Sequence, residues 1–222
     1  MTDTRIALLG AHLDNKDPQS RKFQAAAAPS IHTVMHRHDR KPLAQWIGSC
    51  TGHSAAQALN TRRLHKPRWP YKTDADAMDY YTWATQHDIY RGQMPEEDTG
   101  SSVLAAAQAV RAFGHIERFN WAFGYEHFLA SLMLDPVVVG TVWRDNMFDT
   151  NSKGFLDVSG PIVGGHAYLI LGYSLRFDYF TMLQSWPLPW GFRGTGRARI
   201  SGPSMRSLIE DDGEATTYVL AA

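Results

Sequence analysis

Apolar positions recur at helical spacing in the first half of the chain and at strand spacing in the second. Ala55, Ala56 and Ala58 with Leu59 predict a closely packed helix beginning at Ser49 or Cys50. Met78, Tyr81, Trp83, Ala84 and Ile89 mark a second helix over 74–91. Residues 92–102 read as a loop, after which Ser101 or Ser102 caps a helix through Val103, Leu104, Ala107, Val110 and Ala112 that Gly114 ends. Phe128, Leu129, Leu132 and Met133 place another helix at about 123–134. Past Asp135 the pattern changes, and segments 136–142, 167–173, 180–186 and 197–200 are apolar or β-branched runs of strand length. Helices first and strands second is an α+β arrangement; a strand–glycine–helix dinucleotide unit is missing. Residues 1–40, with Asp14, Lys16, Asp17, Pro18 and an alanine stretch before Pro29, lack sustained periodicity. They read as an irregular arm ahead of a domain over 41–222.

Composition narrows the choice of function. A chain of 222 residues buries roughly 70% of its surface on folding, enough for a core without disulfides. Basic and acidic residues balance at 22 each, which disfavours a basic nucleic-acid binder. No apolar run reaches the ~18 residues of a membrane span, and the start, Met1-Thr2-Asp3-Thr4-Arg5, is not that of a secretory leader. These features favour a cytoplasmic protein without a membrane partner; oligomeric state is left open. The single cysteine, Cys50, excludes an intrachain disulfide and a thiolate-rich zinc site. It is either a buried small hydrophobe or a reactive thiol.

Three segments carry candidate chemistry. In Gln45-Trp46-Ile47-Gly48-Ser49-Cys50 a helix starts at the cysteine. Unpaired N–H groups and the positive end of the helix dipole face a group placed there, so the thiol pKa is expected to fall. The same N–H groups suit an oxyanion, and Gln45, five positions upstream, offers a side-chain amide as second donor. In Gly164-Gly165-His166-Ala167 a histidine opens a strand behind two glycines that let a backbone or substrate approach. Such an imidazole can take a thiol proton and return it to a leaving amine. In Gln184-Ser185-Trp186 an amide precedes a tryptophan; the amide can accept the second ring N–H of a histidine, and the indole can shield that bond. Each segment alone also has an ordinary meaning: a buried cysteine, a core histidine, a hydrophobic turn.

In this order the three segments resemble the papain family of cysteine peptidases, in its bacterial or phage form. Ser185-Trp186 with Trp190-Gly191 and Gly194, Gly164-Gly165-His166-Ala167 with Gly172-Tyr173, and Glu97-Asp98-Thr99-Gly100-Ser101-Ser102 before a helix are similar to that family's motifs, over about residues 40–203. The resemblance implies a two-lobed papain-like fold, a helical lobe and an antiparallel β lobe with the cleft between them. It implies Cys50 as nucleophile, His166 as base and Gln184 as the group that orients it. Gln45 and Trp186 would support the oxyanion and the histidine, and Gly100 and Gly165 would meet substrate. The implied reaction is peptide-bond hydrolysis through a thioester, on a protein or peptide, without metal or other cofactor. Host cytoplasm or a virion would also suit a phage member. Two departures stand out. Gln45 lies one position nearer the cysteine than the family pattern, where Ala44 stands, and Gln184 replaces the usual asparagine. Only 49 residues precede Cys50, too few for a long inhibitory prosegment; the arm packs on the body or covers the cleft. Rival readings are hydrolysis of cell-wall peptides and a weakened, peptide-binding or structural relative.

Other clusters read more simply. His36-Arg37-His38-Asp39 is expected to be a solvated basic turn and not a metal site. Arg62, Arg63, His65, Lys66 and Arg68 form a solvated helix end, and Asp211, Asp212 and Glu214 an acidic turn. His53 is not placed to serve as base, and Asp145 is a fallback partner for His166.

Overall fold

The computed structural model describes residues 3–12, 30–67 and 69–221. Helix α1 (Cys50–Leu59) is buried along its whole length, as its small side chains require. Helix α2 (Asp74–His87) lies so close to it that a Cβ on Gly52 would collide with the Ala77 carbonyl and Tyr81. Thr73 and Asp76 close a reciprocal capping box at the start of α2. The helix stops at His87, four residues before the expected end at 91. Helix α3 (Val103–Ala112) starts where Ser102 accepts from the Ala105 N–H at 3.0 Å, and Gly114 follows it at φ +75°. Helix α4 covers Gly124–Leu134.

A seven-stranded sheet carries the rest. Strands β4 (Ile116–Trp121), β9 (Glu214–Leu220), β5 (Val137–Arg144), β6 (Ile162–Ser174), β7 (Tyr179–Leu183) and β8 (Arg197–Ser201) run in that order, all antiparallel. A short β2 (Val34–Met35) pairs with β6. The sheet is buried on both faces. Val137, Val139, Tyr168 and Ile170 join α4 and α5 (Gly202–Glu210) in one core; Val138, Ala167, Leu169 and Leu171 join α1 and α3 in the other. This alternation sends His166 and Ala167 to opposite faces of β6. Strands β4 and β9 and helix α5 add to the elements expected from sequence. Glu214, expected in an acidic turn, is instead fully buried in β9.

The arm also has structure. Residues Thr4–Leu8 form a 3-10 turn, and β1 (Ala11–His12) pairs in parallel with β3 (Ser101–Ser102). The His36–Asp39 turn, expected to be solvated, is partly interior. His36 Nε2 bonds to the Leu132 carbonyl at 2.8 Å and His38 Nδ1 to Arg40 O at 3.1 Å, and both rings are buried. Arg62 pairs with Asp39 and Arg63 with Asp135 at the surface, while Arg68 lies outside the described residues. Among the described residues no helix is long and apolar enough to cross a membrane.

Candidate active site

The three segments singled out by sequence meet where α1 abuts β6. Cys50 Sγ accepts from the Ala167 N–H at 3.5 Å, so the thiol rests against the strand that carries His166. Ser49 makes no side-chain cap, leaving the first N–H groups of α1 free to act around the sulfur. His166 Nε2 lies 2.7 Å from Gln184 Oε1. The Ser185 N–H donates to the same Oε1 at 2.9 Å, which fixes that atom as the amide's acceptor. Nε2 therefore carries the ring proton, and Nδ1 keeps its lone pair with no hydrogen bond among the described residues. The longer reach of Gln184 fits here; Asp145 is not needed as fallback. Trp186 packs on the imidazole with ring centroids 5.2 Å apart, and Trp143, which sequence did not single out, meets its other side edge-on at 4.9 Å.

The Gln45 side chain is buried between its own loop, the arm and Ser185. Its Nε2 donates to Leu8 O and to Ile47 O, both at 2.9 Å. Its Oε1 accepts from the Ser185 hydroxyl, and its backbone N–H reaches Ser185 O at 2.8 Å, tying the cysteine loop to the segment after Gln184. Asp98 braces the same loop from the other side. Its carboxylate accepts from the Gly48 N–H at 2.8 Å and from the Tyr81 hydroxyl, which in turn accepts from the Gly100 N–H at 2.9 Å. Asp98 stood in the motif before α3, but nothing in the sequence linked it to Tyr81 or Gly48. His53 turns away, its Nδ1 on Ser49 O at 3.0 Å.

The cleft is occupied by the chain itself. The Gly10 carbonyl accepts from the Ser101 N–H at 2.7 Å. A Cβ on Gly165 would strike the Ala11 carbonyl, one on Gly164 would stand 3.0 Å from Leu9, and one on Gly100 would stand 2.5 Å from Gly10 O. Glycine is required at Gly100 and Gly165 because the arm's backbone passes there, while Gly164 makes room for the Leu9 side chain. His12 bonds to Thr99 O at 2.7 Å and stacks on Tyr90 at 4.0 Å. Of the two expectations for the arm, covering the cleft describes residues 8–12; residues 13–29 lie outside the described part.

This cover reverses the expected thiol chemistry. Burial pushes the Cys50 thiol up to about 11, against the opposing pull of the Ala167, Gly10 and Thr51 N–H groups. Burial likewise lowers His166 to about 4, with the Gln184 bond pulling the other way. The helix-start argument for a lowered thiol fails here because desolvation exceeds the stabilisation by those N–H groups. In this state the pair is thiol and neutral imidazole.

Comparison with solved structures places this architecture: the chain has an α+β, papain-like fold. It is similar to xylellain, a cysteine protease from Xylella fastidiosa, with TM-score 0.75 and 16% identity over 100% of this chain and 99% of that one. It is also similar to proCathepsin B S9 from Trypanosoma congolense, with TM-score 0.65 and 12% identity over 98% and 88%. Procathepsin L 3 of the Tenebrio molitor larval midgut gives TM-score 0.63 and 13% identity over 96% and 77%. Comparison with family models and with curated proteins finds no match.

Proposed function

We propose that this chain is a cysteine peptidase and that residues 8–12 hold it in a latent state. Once the arm leaves, water and substrate enter, His166 Nδ1 takes the Cys50 proton, and the sulfur attacks the substrate carbonyl carbon. The tetrahedral oxyanion accepts from the Gln45 amide and the Cys50 N–H. His166, held by Gln184, gives its proton to the amine as the C–N bond breaks, leaving a thioester. Water then loses a proton to His166, attacks the thioester and releases the acid and the thiol. The observation that carries this reading is the Gln45 amide, which already donates to a peptide carbonyl of the arm, Leu8 O.

The arm is not cut, because it lies backwards. His166 protonates the leaving amine, so the Trp186 side of the cleft takes the leaving segment and the Ser101–Ser102 side takes the acyl segment. A substrate runs N to C from the acyl to the leaving side. The arm runs the other way: Arg5 lies by Trp186 and Ala11 pairs with Ser101. Two of the similar structures are procathepsins, which accords with a latent form.

The test is turnover of fluorescent casein, with purified cell wall in parallel, by full-length protein carrying Gly10→Ala to open the cleft. Casein hydrolysis that disappears on adding Cys50→Ala is the expected result. Wall hydrolysis without casein hydrolysis would select the cell-wall reading, and no turnover of either would overturn the proposal.

A further inference from the structure

Beyond the cysteine–histidine pair, the leaving side of the cleft contains a formed site for one kind of side chain. Arg5 Nη1 donates to Phe148 O at 2.7 Å and to Asp149 Oδ1 at 3.0 Å, and Nη2 donates to Asp149 Oδ2 at 2.9 Å. The guanidinium carbon lies 5.1 Å from the Phe148 ring centroid and 5.6 Å from that of Trp186. Phe148 stacks on Trp186 at 5.6 Å, and Trp186 packs on His166, so this site is continuous with the proposed catalytic pair. A two-point carboxylate, a backbone carbonyl and two aromatic rings match the planar fork of a guanidinium. An ammonium, a point charge, satisfies only part of that set.

Resting on the peptidase reading, we propose that Phe148, Asp149 and Trp186 form a guanidinium subsite, so that preferred substrates carry arginine just after the scissile bond. Distance sets the position. Taking Leu8 O, which the Gln45 amide holds, as the place of the scissile carbonyl, Arg5 lies three residues away along a 3-10 turn, about 6 Å at ~2 Å per residue. An extended peptide covers that span in about two residues at ~3.3 Å each. Arginine is therefore expected at the first or second position of the leaving segment. In the closed protein Arg5 fills the subsite itself, with Asp3 pairing on its outer edge at 2.6 Å.

Two measurements test this on full-length protein carrying Gly10→Ala, with Arg5→Ala as a second way of freeing the site. The first compares quenched peptides identical except for arginine or glutamine at those two positions. The arginine peptide should have a kcat/KM ~10-fold or more higher, and Asp149→Asn should bring the ratio close to 1. The second needs no turnover: a fluorescent peptide copying residues 3–12 and its Arg5→Gln form are compared by polarisation. The arginine form should bind ~10-fold tighter, and Asp149→Asn should remove the difference. Ratios within twofold of 1 in both assays before Asp149 is changed overturn the subsite. Cleavage without arginine preference would leave the peptidase reading intact; selective binding without any cleavage would support the subsite and sink the peptidase.

Discussion

Gly10 is the point at which the closed state is most exposed to a single methyl group. An added Cβ would stand 2.5 Å from the Gly48 carbonyl carbon and 2.7 Å from its Cα, with the carbonyl oxygen nearer still. Ordinary contact begins near 3.4 Å, so the arm has to retreat by about 1 Å or more. Two hydrogen bonds then stretch out of range: Ser101 N–H to Gly10 O, now 2.7 Å, and Gln45 Nε2 to Leu8 O, now 2.9 Å. At about 1 kcal/mol each, closure weakens by about 2 kcal/mol, or roughly 30-fold in the open fraction. Cys50 is the sole cysteine, so iodoacetamide incorporation at pH 7 reports that fraction directly. Gly10→Ala should label roughly 30-fold faster than the parent while its Tm stays within a few degrees, since the substitution lies outside both hydrophobic cores. A labelling rate within twofold of the parent, with the fold intact, would refute the idea that the arm's backbone guards the thiol.

The remaining predictions use the same opened protein as reference. Gln184→Ala should lower kcat by roughly 10²-fold with little change in KM, because the ring loses its hydrogen bond to the amide. Gln184→Asn should not rescue it: one methylene less withdraws the oxygen by about 1.5 Å, beyond hydrogen-bond range from 2.7 Å, and a kcat at the opened parent's level would contradict this. Gln45→Ala should cost roughly 10²–10³ in kcat as an oxyanion donor is lost, and an unchanged kcat would remove Gln45 from the mechanism. Acid should open the arm. Burial holds His166 at about 4 in the closed state, against ~6.5 in a hydrated cleft, so closure is strongest above ~6.5 and weakens as pH falls towards 4. At pH 5 the loss is about 2 kcal/mol, roughly 30-fold; the labelling rate of the parent relative to Gly10→Ala cancels the thiol's own titration, and a ratio that stays flat from pH 7 to 5 would be the contrary result.

Local signals made much of the site readable. The Cys50 helix start, the glycines before His166 and the amide before Trp186 are each contiguous in sequence, and each sits where its own turn or strand puts it. Two-sided burial of the sheet explains why β5 and β6 stood out as unbroken apolar runs. It also explains why β4, where exposed Glu117 and Arg118 separate Ile116 from Phe119, did not. Strand β9 was hidden for another reason: Glu214 reads as solvent-facing, yet it is buried at the start of that strand. What could not be read were contacts across large sequence separations. The brace from Asp98 to Gly48 and Tyr81 spans fifty and seventeen positions, and nothing local distinguishes that carboxylate from Glu97. The arm was the largest omission, since Leu8-Leu9-Gly10-Ala11 is too short to show periodicity and gains its meaning only from the glycines it lies against.

Those glycines connect latency to activity. Gly100, Gly164 and Gly165 clear a slot for an extended backbone, and a slot that admits a substrate backbone admits the arm as well. The arm leaves the orienting bond between His166 and Gln184 made and the Gln45 amide aimed at a carbonyl. In the proposed latent form the site stays assembled, and burial raises the thiol and lowers the imidazole until neither carries charge. A site kept assembled but dry needs no refolding to start work, only departure of the arm. This leads to a kinetic consequence: mixing latent protein with a peptide that competes for the slot should produce activity at the rate of arm release, in one phase. A second, slower phase independent of peptide concentration would mean that the cleft has to rebuild itself after the arm has gone.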